Sequence, residues 1–139
     1  ITQIKLRERA IRQIPVNMEK ELSDFNVLEE INCICARLPL SHLNYINCAL
    51  GMDATEGRYG EVTMRKCIHC HRKWILYEME DEGFSHSGRW YTGIVEDKDV
   101  FWIRTYNAFV YVKELSWYLY GGSYYNSTGI FHKLNARQS

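Results

Sequence analysis

The chain has 139 residues, 46% of them hydrophobic and 24% charged, with seventeen basic side chains set against seventeen acidic ones. That length allows one domain, over residues 1–139, with a core of its own, and the composition excludes wholesale disorder. The even charge balance speaks against a dedicated nucleic-acid binder, which carries a basic excess to neutralise phosphates.

Residues 1–14 place Ile4, Ile11 and Ile14 at helical spacing, with Lys5, Arg7, Arg9 and Arg12 between them, and Pro15 stops the pattern. This basic stretch lacks the apolar block and small-residue cleavage site of a secretory signal. No run reaches the roughly twenty apolar residues of a membrane span, so the expected location is cytoplasmic and no membrane partner is expected. A second helical pattern runs through Met18, Leu22, Phe25, Leu28 and Ile31. A third is expected over residues 41–50: Ser41 can cap it, Leu43, Ile46 and Leu50 share a face, and Gly51 can end it.

The pattern changes after Gly57. "RYGEVTMRK" and "RKWILYEME" both read as strands, and "RWYTGIV" is a further one. After the charged turn "EDKD", the segment "NAFVYVKEL" fits either a helix capped by Thr105 or Asn107, or an alternating strand. Gly121-Gly122 breaks the chain before a final Tyr-rich stretch. The expected fold is therefore α+β: N-terminal helices, a small central antiparallel sheet, and a mixed aromatic-rich C-terminal segment.

The densest chemistry lies between the first two strands, in "CIHCHRKW". Cys67 and Cys70 form a Cys-x2-Cys, which on a tight turn lets both sulfurs point at one ion while nearby N–H groups bond the thiolates. Tetrahedral zinc needs four ligands. The second pair is Cys33 and Cys35, which can share a metal only if the chain turns between them, since alternate residues of a strand face opposite ways. The expected metal site is therefore Cys33, Cys35, Cys67 and Cys70, with structural zinc as the cofactor. Cys48 reads as a small core residue. Other readings stay open: five reduced, buried cysteines, a redox pair, or a Cys–His dyad.

The "CIHCHRKW" turn resembles a zinc-ribbon knuckle. The first pair departs from that pattern by being Cys-x-Cys. His71 stands where a glycine often follows the second cysteine, so His69 or His71 is an alternative ligand. Four thiolates would close the shell, which implies a structural and not a catalytic metal.

No Walker loop, GxSxG, HExxH or GxGxxG occurs, and no residue is assigned as catalytic. The acidic run Glu78, Glu80, Asp81 and Glu82 reads as a solvated turn. Trp74, Trp90, Phe101 and Phe109 are expected in the core. Trp117, Tyr118, Tyr120, Tyr124 and Tyr125 surround the Gly-Gly break and are expected to form a partner-binding surface, because Tyr and Trp give large contact area at low entropic cost.

The leading reading is a non-enzymatic protein-binding domain with a structural zinc. In size and composition it is similar to small bacterial immunity and antitoxin-type proteins. That likeness is carried by no motif, and it implies a partner toxin. The alternatives are a zinc-ribbon nucleic-acid module using Arg65, Lys66, Arg72 and Lys73, and an enzyme of unrecognised type.

Overall fold

The computed structural model describes residues 27–80, 88–123 and 125–134. They form one antiparallel sheet of six strands, each hydrogen-bonded to its neighbour in sequence. The strands are β1 (Tyr45–Asp53), β2 (Gly60–Cys67), β3 (Lys73–Met79), β4 (Arg89–Val95), β5 (Trp117–Gly121) and β6 (Ile130–Lys133). The α-helical residues among those described are α1 (27–31) and α2 (Ala108–Lys113). The expected α+β architecture is thus corrected: the described fold is essentially all-β. The helix expected over 1–14 lies outside the described residues, as does most of the second helical pattern.

The sharpest correction falls on residues 41–50. Ser41 does cap, its side chain accepting from the Leu43 N–H, but it caps only the single 3₁₀ turn His42–Asn44. The chain then extends into β1 and pairs with β2 from Tyr45↔Cys67 to Asp53↔Gly60. The apolar residues at helical spacing do not face a core: Leu43 is 75% and Ile46 63% exposed. Among the described residues nothing covers a helical stripe there, and the ladder to β2 decides the conformation. Gly51 punctuates the chain as a bulge, not as a helix end. It has φ 126, and the register shifts between Ala49 and Gly51.

The strands expected at 58–66, 72–80 and 89–95 correspond to β2, β3 and β4. β3 buries Trp74, Ile75, Leu76 and Tyr77 in succession, which happens only when both faces of a central strand are covered. One face carries Val62, Ile75, Tyr77, Tyr91, Val95 and Tyr118, closed over by Ile103, Ala108 and Val112 from the β4–β5 connection. The other carries Tyr45, Cys67, Trp74 and Leu119, closed over by the segment from Leu28 to Leu40. The 107–115 ambiguity resolves as helix α2, whose N-cap position is Asn107.

Two buried polar groups show how tightly the sheet is specified. Thr92 Oγ1 donates to the Ile75 carbonyl at 2.8 Å. Asp53, at the end of β1, is met by Tyr77, Arg58 and the Thr55 N–H. Gly60 is required beside it, because a Cβ there would run into the Tyr77 ring.

Candidate metal centre

The site begins with the β2–β3 hairpin. Cys67 is the last residue of β2, and its N–H donates to the Arg72 carbonyl at 2.9 Å while its own carbonyl accepts from the His71 N–H at 3.0 Å. The turn between them aims two more N–H groups at sulfur: His69 N at 3.3 Å and Cys70 N at 3.5 Å from Cys67 Sγ. This is the geometry expected of a metal knuckle, in which main-chain donors stabilise a thiolate. His71 closes the turn with φ 66 in the left-handed region where glycine is the easier residue.

The second half comes from the segment that covers the sheet. Cys33 is extended, at φ −146 and ψ 147, and the chain then tightens into the 3₁₀ turn Ile34–Ala36. The Ala36 N–H donates back to the Cys33 carbonyl at 3.1 Å. That turn meets the condition for a Cys-x-Cys to offer both sulfurs to one point. The segment is pinned by Tyr45 Oη donating to the Cys35 carbonyl at 2.6 Å and by Arg72 Nη1 donating to the Ile31 carbonyl at 3.3 Å.

As a result, the sulfurs of Cys33, Cys35, Cys67 and Cys70 all lie within 4.8 Å of one another. Two close separations run between the two segments: Cys33 to Cys67 and Cys35 to Cys70, each 3.5 Å. Cys35 and Cys67 are fully buried, and Cys33 and Cys70 half-buried. Four cysteines in this arrangement can hold a metal ion, and the donor set suits zinc: four soft ligands for a tetrahedral ion.

Electrostatics point the same way. Burial, then the neighbouring Cys70 and Cys33, push the Cys35 thiol well above its ordinary range. Burial also raises Cys33. At Cys70 burial opposes ionisation too, but the main-chain N–H and side chain of Arg72 outweigh it and bring the thiol down to about 6. A cluster that resists carrying several negative charges is the environment a divalent cation relieves. The Trp74 indole N–H, buried without a conventional hydrogen bond, lies beside Cys35 and favours its thiolate.

His69 and His71 are exposed on the turn, and the groups that converge among the described residues are the four cysteines. Cys48 is a correction: it is exposed on β1 and not in the core, because β1 is the end strand of the sheet.

The aromatic residues expected at a partner surface are placed differently from one another. Tyr118 is buried, in ring contact with Tyr91 at 6.3 Å and His132 at 4.6 Å. Trp117 packs edge-on to Trp74 at 6.1 Å and stacks on Phe131 at 5.6 Å. Tyr120 stacks on Tyr91 at 6.2 Å. Of the four whose side chains are described, Tyr125 alone is exposed, and Tyr124 lies outside the described residues.

The exposed aromatics that sequence reasoning missed are on the β4–β5 connection. Phe101, expected in the core, is 84% exposed, and Trp102 and Tyr106 stand out beside it. The signal available in the sequence was the pair of flanking turn residues, Asp99 and Asn107, which build this loop. Of the four basic residues near the knuckle, Arg65 lies over the Tyr45 ring at 4.9 Å, Arg72 bonds the Ile31 carbonyl, and Lys73 pairs with Asp97 at 2.7 Å.

Together these features define an all-β domain, a six-stranded antiparallel meander with a four-cysteine centre at one end of its β2–β3 hairpin. No protein-family model, no curated protein and no solved structure matches the chain. Among the described residues, no helix is long and apolar enough to cross a membrane.

Proposed function

We propose that this is a protein-binding domain whose fold is clamped by one structural zinc ion held by Cys33, Cys35, Cys67 and Cys70. One observation carries the reading: two short cysteine pairs, far apart in sequence, bring four sulfurs within 4.8 Å. Four thiolates would leave no open coordination position, so the metal's work is to hold the 28–40 segment against the sheet. Protein purified without added metal or chelator is expected to carry one zinc per chain, lost in Cys33→Ser. Metal-free protein whose four thiols titrate freely before denaturation would overturn the clamp.

The binding half of the reading rests on the loop after β4. Asp99 accepts from the Trp102 indole N–H at 3.0 Å and from Tyr111 Oη at 2.8 Å. Arg104 Nη1 donates to the carbonyls of Phe101 and Ile103, at 2.7 and 2.9 Å. Asn107 closes the loop, donating to the Trp102 carbonyl at 3.1 Å and accepting from the Arg104 N–H at 2.7 Å. Ile103 anchors it in the core. A loop this well tied holds Phe101 out in water at no further ordering cost, which is the character of an interface anchor. A protein partner is favoured over nucleic acid because Arg65, Arg72 and Lys73 already have partners within the fold. A protein that co-purifies stoichiometrically with the wild-type chain is expected to be lost from the Phe101→Ala/Trp102→Ala double variant and kept by Tyr125→Ala. Retention by the double variant would move the surface elsewhere.

A further inference from the structure

The two ends of the sheet are built differently. β6 is short, only Ile130–Lys133, and carries a lysine, both ordinary ways of discouraging an edge from pairing. β1 runs nine residues, pairs among the described residues with β2 alone, and is exposed at every position between Tyr45 and Asp53. That exposed run, "INCALGM", contains no charged residue and no proline. The bulge between Ala49 and Gly51 leaves Tyr45–Ala49 as a regular edge among the described strands. On it the Asn47 side chain donates to the Tyr45 carbonyl at 3.2 Å, and that oxygen keeps a second lone pair for a strand that pairs there.

We infer that two copies of this chain pair through β1, antiparallel about a two-fold axis at Asn47, joining their sheets into one. An edge of this kind offers main-chain N–H and C=O groups, so its natural occupant is another extended strand. Three features favour a second copy. A neutral strand meets itself without like-charge contact across the ladder. A two-fold pairing covers both exposed edges in one event, in the commonest symmetry of soluble oligomers. With Asn47 on the axis, Ile46 of one copy lies opposite Cys48 of the other, so the 63%-exposed Ile46 of each is covered by an apolar neighbour. The inference stands apart from the zinc reading, since β1 bears none of the four clustered cysteines.

The test uses the whole chain in its purified, metal-replete form. Sedimentation velocity over a dilution series is expected to show a monomer–dimer equilibrium, and hydrogen exchange at Tyr45–Ala49 should slow as the dimer fills. Ile46→Lys, at an exposed position, should weaken the dimer at least about tenfold, with a melting temperature unchanged at dilutions where both proteins are monomeric. With oxidised glutathione added as the oxidant, which takes the two electrons and leaves as two reduced glutathiones, Ile46→Cys should form a covalent dimer linked by a disulfide from position 46 to Cys48 of the second copy. A chain monomeric at every concentration, as when β1 serves a different protein, overturns the proposal. So does a dimer that Ile46→Lys leaves intact, or a cross-link that joins other positions.

Discussion

Cys67→Ser is expected to abolish zinc binding and to unfold much of the domain at temperatures where the wild-type chain is stable. Cys67 is fully buried and sits where three demands meet. It ends β2, it accepts two N–H groups from its own turn, and it lies 3.5 Å from Cys33 on the covering segment. Serine removes the thiolate and leaves the His69 and Cys70 N–H groups aimed at a poorer, shorter acceptor. A structural zinc contributes its binding free energy directly to folding, of order 10 kcal/mol in small zinc domains, which rivals the whole stability of an ordinary domain at about 5–15 kcal/mol. Even half of that loss lowers the melting temperature by about 15–20 °C in a chain of this size. A tight chelator should produce the same drop in the wild-type protein. Cys48→Ser is the matched control: exposed on β1, it should change stability by no more than about 0.5 kcal/mol. Melting of Cys67→Ser that coincides with wild type, zinc content unchanged, would remove the clamp from the account.

The cysteine set was readable because its signal is residue type and spacing, which survive without any knowledge of packing. What the spacing could not supply was the 3₁₀ turn Ile34–Ala36 that lets Cys33 and Cys35 face one point. That turn follows from how the segment docks on Tyr45 and Arg72, both distant in sequence. The inner strands were legible for a related reason. β2, β3 and β4 are rich in β-branched and aromatic residues and are bounded by turn residues, so local preference and global fold agree.

β1 was not legible, because Leu43, Ile46 and Leu50 fall at helical spacing by coincidence. Periodicity implies a helix only if a core waits for the stripe, and these side chains face water. The aromatic residues mislead in the same way. "WYLYGGSYY" is dense in rings, but β5 has both faces covered, so Tyr118 and Leu119 are buried in succession. Phe101 looked like core and is held outside by a hydrogen-bond pattern around Asp99, Arg104 and Asn107 that no window of hydrophobicity encodes. Composition tells how many rings a chain must place; only the topology tells which side of the sheet receives each one.

The second large effect should appear in acid, at the opposite end of β1 from the cysteines. Asp53 is 1% exposed and is met on both oxygens: Oδ1 accepts from the Thr55 N–H at 2.9 Å, and Oδ2 from Tyr77 Oη at 2.7 Å and Arg58 Nε at 3.2 Å. Burial works against its ionisation, but Thr55, Tyr77 and Arg58 prevail and hold the carboxyl down to about 2, below the ordinary 3.8. For Tyr77, burial and the adjacent carboxylate raise the phenol to about 12, so it stays a donor throughout the working range. Because the folded carboxyl is the stronger acid, its contribution is complete above about pH 4 and is lost as pH falls toward 2. That contribution is about 2 kcal/mol. Asp53→Asn keeps an acceptor but cannot titrate, so urea unfolding across this range should show a wild-type curve steeper than the variant's by that amount. Loss of any metal held by the cysteines would affect both proteins alike in acid, and the difference between the curves isolates Asp53. Asp53→Ala goes further, leaving the Tyr77 phenol, the Arg58 Nε–H and the Thr55 N–H without their acceptor, and should cost about 3–5 kcal/mol even at neutral pH. Parallel curves for wild type and Asp53→Asn between pH 5 and pH 2 would mean that the carboxylate is not the charged hub that joins β1 to β3.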